Sequence, residues 1–287
     1  MHEATVARSF ADRIPPHAFF LVSAVFHYLG PAFAVLLFPY VAPLGVAWLR
    51  IASAAILFAI WRKPWRYLAA CPARERHVVI ALGLVLAAMN AVFYEAIARL
   101  PLGTVGAIEF LGPIGLAAVG LRTRRNFAAL IAAAAGVYLL TDVRIAGAPL
   151  GYLFAFANCA LFVLYIVLGH RIASDGGATG IDRLAAAMLI AAVLAFPLGI
   201  ADARVAFTDP WLAGAAVGVG ISSSVIPYIC DQLAMARLPR ATFALMLSLL
   251  PATATAVGVV VLRQVPSLIE VGAIALVILG VALHRRE

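Results

Sequence analysis

Charge is what this chain has least of. Only 12% of its 287 residues are Asp, Glu, Lys or Arg, about half the share of an ordinary soluble domain. A soluble protein of this size needs charge to cover its surface, so the deficit excludes a soluble globular enzyme and a disordered chain. Lysine is almost missing: Lys63 stands beside 20 arginines. The three cysteines (Cys71, Cys159 and Cys230) lie far apart, with no metal-ligand spacing and no pairing pattern, which excludes a disulfide scaffold. No P-loop, nucleophile elbow or Cys-x-x-Cys occurs, so the expectation is a non-enzyme with no cofactor and no metal. Glu3, Asp12 and Pro15-Pro16, with no small-residue cleavage site behind a short apolar stretch, do not read as a signal peptide.

Apolar length is what the chain has in excess. Hydrophobic residues make up 65% and the mean hydropathy is +1.05. A hydrocarbon core of roughly 30 Å takes about 20 apolar residues per helix. The sequence therefore predicts an all-α membrane protein with ten transmembrane helices. Residues 14–49 contain no Asp, Glu, Lys or Arg, and Pro39 and Pro43 divide that run. The predicted spans are 18–38, 44–61, 77–98, 101–121, 126–141, 149–169, 183–201, 211–235, 240–262 and 266–284. Residues 62–76 read as a basic loop between the second and third. Gly214 and Gly218 form one small-xxx-small pair of the kind that lets helices approach closely.

The net charge of +8 would suggest nucleic acid in a soluble protein. Here the cations punctuate apolar runs and set orientation instead, and no nucleic-acid partner is expected. With the N-terminus in the cytoplasm, the cytoplasmic segments carry 16 of the 21 cations. The outer segments carry four: Arg99, Arg144, Arg204 and Arg263; Arg50 falls inside a span. Positive charge stays inside, so both termini are predicted to be cytoplasmic.

The chain also repeats itself. Ala98-Arg99-Leu100-Pro101 recurs as Ala236-Arg237-Leu238-Pro239 at an offset of 138, and Pro113 matches Pro251 at the same offset. Each tetrapeptide joins two spans, the third to the fourth and the eighth to the ninth. Five spans per copy is odd, so the second copy must be inverted, a transporter arrangement with its site near the midplane. The expected organisation is a cytoplasmic segment 1–17, a first repeat 18–143, a second repeat 144–284 and a cytoplasmic end 285–287.

Several stretches resemble the drug/metabolite transporter superfamily, EamA fold, and within it the bacterial threonine/homoserine exporter family. They are Leu37-Phe38-Pro39 through Leu49-Arg50, Met89-Asn90 with Phe93-Tyr94, and Pro101-Leu102-Gly103. Glu109-Phe110, Gly112-Pro113 and Pro227-Tyr228 ahead of Arg237-Leu238-Pro239 continue the likeness. The resemblance implies ten helices in two inverted five-helix repeats and amino-acid export. The chain departs at Val35, where the family often has lysine, at Asp231 and Leu250, where it usually has glutamate, and at Arg263-Gln264, where it has Gly-Glu.

An ionisable group within the membrane costs roughly 2.5–3.5 kcal/mol on insertion scales and marks function by default. Glu109 lies eight residues past Pro101 and Asp231 eight before Pro239, each about 12 Å from its turn at about 1.5 Å per residue. They are the candidate proton-coupling or substrate-binding carboxylates. Asn90, Tyr94, His27 and Tyr228 are weaker candidates for the same cavity, as are Tyr28, Asn158, Tyr165, Ser222, Ser223 and Ser224. Arg50 and Glu95, at similar depth, are expected to form a structural ion pair. Pro31, Pro113, Pro227 and Pro251 could free backbone carbonyls at depth.

The sequence thus points to a secondary active transporter of the inner membrane that exports a small polar metabolite, such as threonine or homoserine, by alternating access with proton coupling. Membrane lipid, a small-molecule substrate and protons are the expected partners, and the chain acts as a monomer or homodimer. The alternative solute is an amine, a drug-like cation or a nucleobase. A membrane-embedded transferase would need a surface cluster of carboxylates or histidines, and a non-transporting assembly protein would show no solute flux.

Overall fold

The computed structural model describes residues 14–120, 124–142, 148–174, 177–238, 243, 246 and 250–283. Among them every regular element is helical. α1 is Pro16–Val35, α2 Pro43–Arg62, α3 Pro64–Ala70, α4 Ala73–Ile97, α5 Leu102–Gly120 and α6 Arg124–Asp142. α7 is Pro149–Ala173 and α8 Gly177–Ala203, with a 3-10 turn at Arg204–Phe207. α9 (Pro210–Gly220), a π turn (Ile221–Val225) and α10 (Ile226–Met235) form one rod, and α11 (Leu250–Leu262) and α12 (Leu268–Leu283) follow. The predicted segments 1–17 and 285–287 fall mostly or wholly outside the described residues, as do Pro239 and the start of the predicted 240–262 span.

Proline starts five of these helices: Pro16, Pro43, Pro64, Pro149 and Pro210 all stand in a first turn. There its missing N–H is no loss and its fixed φ suits the helix. Among the described residues six helices are long and apolar enough to cross a membrane, counting Pro210–Met235 as one; Leu102–Gly112, Leu250–Leu262 and Leu268–Leu279 are shorter apolar stretches. Two helices run past the predicted spans where hydropathy stopped at a charge. α4 begins at Ala73 and carries Arg74, Glu75 and Arg76; α8 begins at Gly177 and carries Asp182 and Arg183. Backbone hydrogen bonding does not end at the lipid surface. The expected 62–76 loop is corrected for the same reason: Pro64–Ala70 is a short helix.

Contacts fix two ends. Arg62 meets Asp182 and Arg183 meets Glu75 at one; at the other, Tyr40 packs on Trp211 and the Leu102 N–H donates to Gln264. The first end collects Arg62, Lys63, Arg66, Arg74, Arg76, Arg171 and Arg183, whereas the second has Arg99, Arg204 and Arg263. The repeated tetrapeptides make matching bonds: Arg99 and Leu100 N–H donate to Ala96 O at 3.0 and 2.8 Å, and Arg237 and Leu238 N–H to Ala234 O at 3.1 and 2.7 Å.

Helices from the two parts of the chain interleave. α2 packs along α8, α5 along α11 and α6 along α12. α4 lies against α7 and α8, and α1 against α10 and α11. Small residues allow the close crossings. A Cβ added at Gly30 would lie 2.6 Å from Ser223 Cα, and one at Gly136 2.5 Å from Ala273 O. Gly214 and Gly218 behave otherwise than their spacing suggests, because a Cβ added at either meets no described residue within 4 Å. Gly30→Ala should therefore lower the melting temperature by several degrees, the overpacking strain being roughly 1–3 kcal/mol. Gly218→Ala should leave it unchanged, and equal melting of the two variants in detergent would contradict this packing.

Candidate functional site

The predicted carboxylates both turn inward, and the same two helices hold them. Glu109, buried on α5, accepts from Tyr28 Oη of α1 at 2.7 Å and from Asn158 Nδ2 of α7 at 2.9 Å. His27 Nε2 stands 3.7 Å from the same carboxylate. Asp231, buried on α10, accepts from Ser23 Oγ of α1 at 2.5 Å and from Tyr165 Oη of α7 at 2.8 Å. Ser23 and His27 are four residues apart and share a face of α1; Asn158 and Tyr165 are seven apart and share a face of α7. Two short ladders of polar residues, about one helical turn long on α1 and about two on α7, thus run between one acid and the other. Ser23 is absent from the sequence-based candidates, although its i, i+4 relation to His27 could have flagged it.

Arg50 is only 6% exposed. Its Nε donates to Ser224 Oγ at 2.8 Å, and Nη2 donates to the Ser223 carbonyl at 2.5 Å and to Tyr228 Oη at 3.4 Å. The guanidinium also lies over the Tyr94 and Tyr228 rings, 5.4 and 5.9 Å from their centroids. Pro227 explains part of this geometry. Having no N–H, it cannot donate to the Ser223 carbonyl four residues back, and Arg50 takes up that acceptor beside the π turn. The expected Arg50–Glu95 ion pair is therefore corrected. Glu95 pairs with Arg99 one turn along its own helix, a neighbour geometry that needs no tertiary contact. Arg50, on the inward face of α2, has only neutral partners, and among the described residues the ion pairs run elsewhere.

A cavity of about 20 Å³ separates these groups, bordered by His27, Arg50, Asn90, Glu109, Asn158 and Tyr228. A second, of about 10 Å³, is bordered by Ser23, His27, Tyr165 and Asp231. Each has room for about one water. His27 borders both, its ring tilted against Phe162 at 5.7 Å. Asn90 turns its amide N–H to Leu86 O at 2.7 Å, within its own helix. Among the described residues, Tyr94 Oη, Asn158 Oδ1 and Ser223 Oγ are buried with no hydrogen-bond partner; Asn158 borders the larger cavity, while Tyr94 and Ser223 lie beside Arg50.

Ionisable and polar groups gathered inside a helical membrane bundle, around a small closed cavity, make up the core of a solute transporter. The chain belongs to the EamA-like transporter family, which residues 149–285 match. It is 30% identical over 256 residues to the threonine/homoserine exporter RhtA of Salmonella typhimurium, covering 87% of this chain and 84% of that protein. With RhtA of Escherichia coli the identity is 30% over 268 residues, covering 90% and 88%. A crystal structure with 21% identity shares the fold at a TM-score of 0.63, covering 93% of this chain and 96% of its own.

The carboxylate contacts can be checked by double-mutant cycles on thermal stability. Ser23→Ala with Asp231→Asn should couple by about 1 kcal/mol or more, because Ser23→Ala alone leaves a buried acceptor unmet. Arg50→Gln with Glu95→Gln should be additive within about 0.5 kcal/mol; coupling there would restore the discarded ion pair.

Proposed function

We propose that the chain exports a small amino acid of the threonine/homoserine type across the inner membrane, by alternating access and in exchange for protons. One observation carries the reading: among the described residues Arg50 is a buried cation without a carboxylate partner, and it borders the same cavity as Glu109. A buried charge ordinarily has a counter-ion, and an amino acid brings both signs. Its carboxylate would meet Arg50, with the Ser223 and Tyr94 hydroxyls as further donors. Its ammonium would meet Glu109, with Asn158 Oδ1 as a second acceptor. The identity to RhtA supports this class of solute.

Proton coupling follows from competition. An ammonium group and a proton both neutralise Glu109, and in low dielectric the site favours one of them at a time. Solute loading would release the proton, and proton return would expel the solute. Asp231 offers a second proton-holding carboxylate, and His27 lies between the two acids as a carrier. Glu109, Asp231, His27, Asn90, Tyr94 and Tyr228 keep their proposed places around the solute or the proton.

The helix packing favours ten spans in two inverted repeats, about 18–143 and 144–284. Let α1 exchange with α7, α2 with α8, α4 with α9–α10, α5 with α11 and α6 with α12. The α4–α7 contact then becomes α10–α1, and α5–α7 becomes α11–α1, both of which occur. Such exchange lets one set of contacts serve an inward-open and an outward-open form. The arginine-rich end, and with it both termini, would face the cytoplasm. The central cavities are too small for an amino acid, so the helices must part before solute enters.

An amine or drug-like cation is the second reading, favoured by the two inward carboxylates. Purified protein in liposomes separates the two. Arg50→Gln should raise the KM for threonine or homoserine about 10- to 100-fold, the equivalent of a charged hydrogen bond, and leave uptake of an amine lacking a carboxylate untouched. Glu109→Gln should abolish stimulation by a pH gradient. Flux of the parent protein that ignores the gradient would remove proton exchange, and amine transport without amino-acid transport would install the second reading.

A further inference from the structure

A third cavity lies far from this site, at the arginine-rich end. It has a volume of about 440 Å³, bordered by Arg74, Glu75 and Val78 of α4, Arg171 and Ser174 at the end of α7, and Arg183 of α8. Its charges are not equivalent. Glu75 accepts from Arg183 Nη2 at 2.8 Å and from Tyr67 Oη at 3.0 Å. Arg183 also gives Nε to Tyr67 Oη at 3.2 Å and Nη1 to Ile172 O at 3.0 Å. Burial, with Glu75 beside it, pushes the Tyr67 hydroxyl up to about 12, against the pull of Arg183, so it remains a donor at neutral pH. That network spends the one acid on the one buried arginine.

Arg74 and Arg171 remain. Both are exposed at the cavity rim, and among the described residues neither has a carboxylate partner. The cleft therefore carries an excess of two positive charges over an apolar wall, on helices that pack against each other. It also lies where α4, whose apolar run would cross the membrane, begins with the charged residues Arg74, Glu75 and Arg76.

We propose that this cleft binds a phosphate-bearing anion, gripped by Arg74 from α4 and Arg171 from α7. Guanidinium groups suit phosphate through paired N–H donors, and basic pockets between membrane helices take anionic headgroups. A phosphodiester headgroup fits the cleft as a whole, because the charged rim takes the phosphate and Val78 the glycerol backbone. A soluble organic phosphate offers the same anion without the apolar part. The bound anion ties α4 to α7 and so favours whichever conformation keeps that end closed. The site is independent of the solute carried at the centre.

The test uses the full chain in detergent, with phosphatidylglycerol, phosphatidylcholine and free glycerol 3-phosphate as probes. Phosphatidylglycerol should raise the melting temperature by several degrees and appear as a retained adduct in native mass spectrometry; phosphatidylcholine should do neither. Arg74→Gln/Arg171→Gln should lose at least half of that shift. Lys63→Gln/Arg66→Gln, which removes the same charge at the same end, should keep it. A photoactivatable phosphatidylglycerol on the unmodified protein should label peptides around 74–78 and 171–174, a readout that needs no variant. If glycerol 3-phosphate reproduces the shift, the ligand is soluble; if only the lipid acts, it is a headgroup. Equal loss in both double variants, labelling spread over the whole basic end, or no response to either probe would overturn the proposal.

Discussion

The cost of charge in hydrocarbon governs this molecule. Ionisable side chains lie buried in helices long or apolar enough to belong to the membrane, Glu109, Asp231 and Arg50 among them. None can turn to water, so each must find partners on other helices. Glu109 and Asp231 take hydroxyls and an amide from α1 and α7. Arg50 takes hydroxyls, a carbonyl and two aromatic faces. These contacts link helices far apart in the chain, with |i−j| reaching 208 for Ser23 and Asp231. Satisfying the charges and assembling the bundle are therefore one process.

That arrangement has a mechanical side. Because α1 and α7 each touch both acids, the proposed reading has a change in protonation or solute at one acid alter the grip of the same two helices on the other. Glycines such as Gly30 and Gly136 bring backbones so near that helices can slide or separate but cannot be squeezed further. The two small cavities leave no room for a solute beside these contacts. On the proposed reading, binding and helix movement are the same event, and the neutral hydrogen bonds that hold the acids are the ones that must be exchanged.

Parts of this were legible from local pattern. Runs of apolar residues marked the helices because an unpaired backbone cannot lie in lipid, and Pro39 and Pro43 marked the break between the first two. The depth of Glu109 and Asp231 could be counted from Pro101 and Pro239, since rise per residue is fixed. The sequence also repeats one tetrapeptide, at 98–101 and 236–239, on which the proposed two-repeat organisation rests. Other parts were not legible. Hydropathy began α4 and α8 too late, because charge does not stop a helix, and it hid the short α3. Arg50 and Glu95 looked like partners from depth alone, yet depth says nothing about azimuth around a helix. Gly214 and Gly218 had the right spacing but no facing helix among the described residues.

The amino-acid sequence by itself determined that this chain lives in a membrane, which residues lie at depth, and which end gathers arginine. Those properties are sums along the chain, of hydropathy, rise and charge, and need no knowledge of neighbours. Only the tertiary structure decided which groups meet. It joined Ser23 to Asp231, Tyr28 and Asn158 to Glu109, and Arg50 to the Ser223 carbonyl, and among the described residues it left Arg50 without an acid. Such contacts depend on how helices rotate and cross when small residues interlock, and that geometry is a property of the whole bundle.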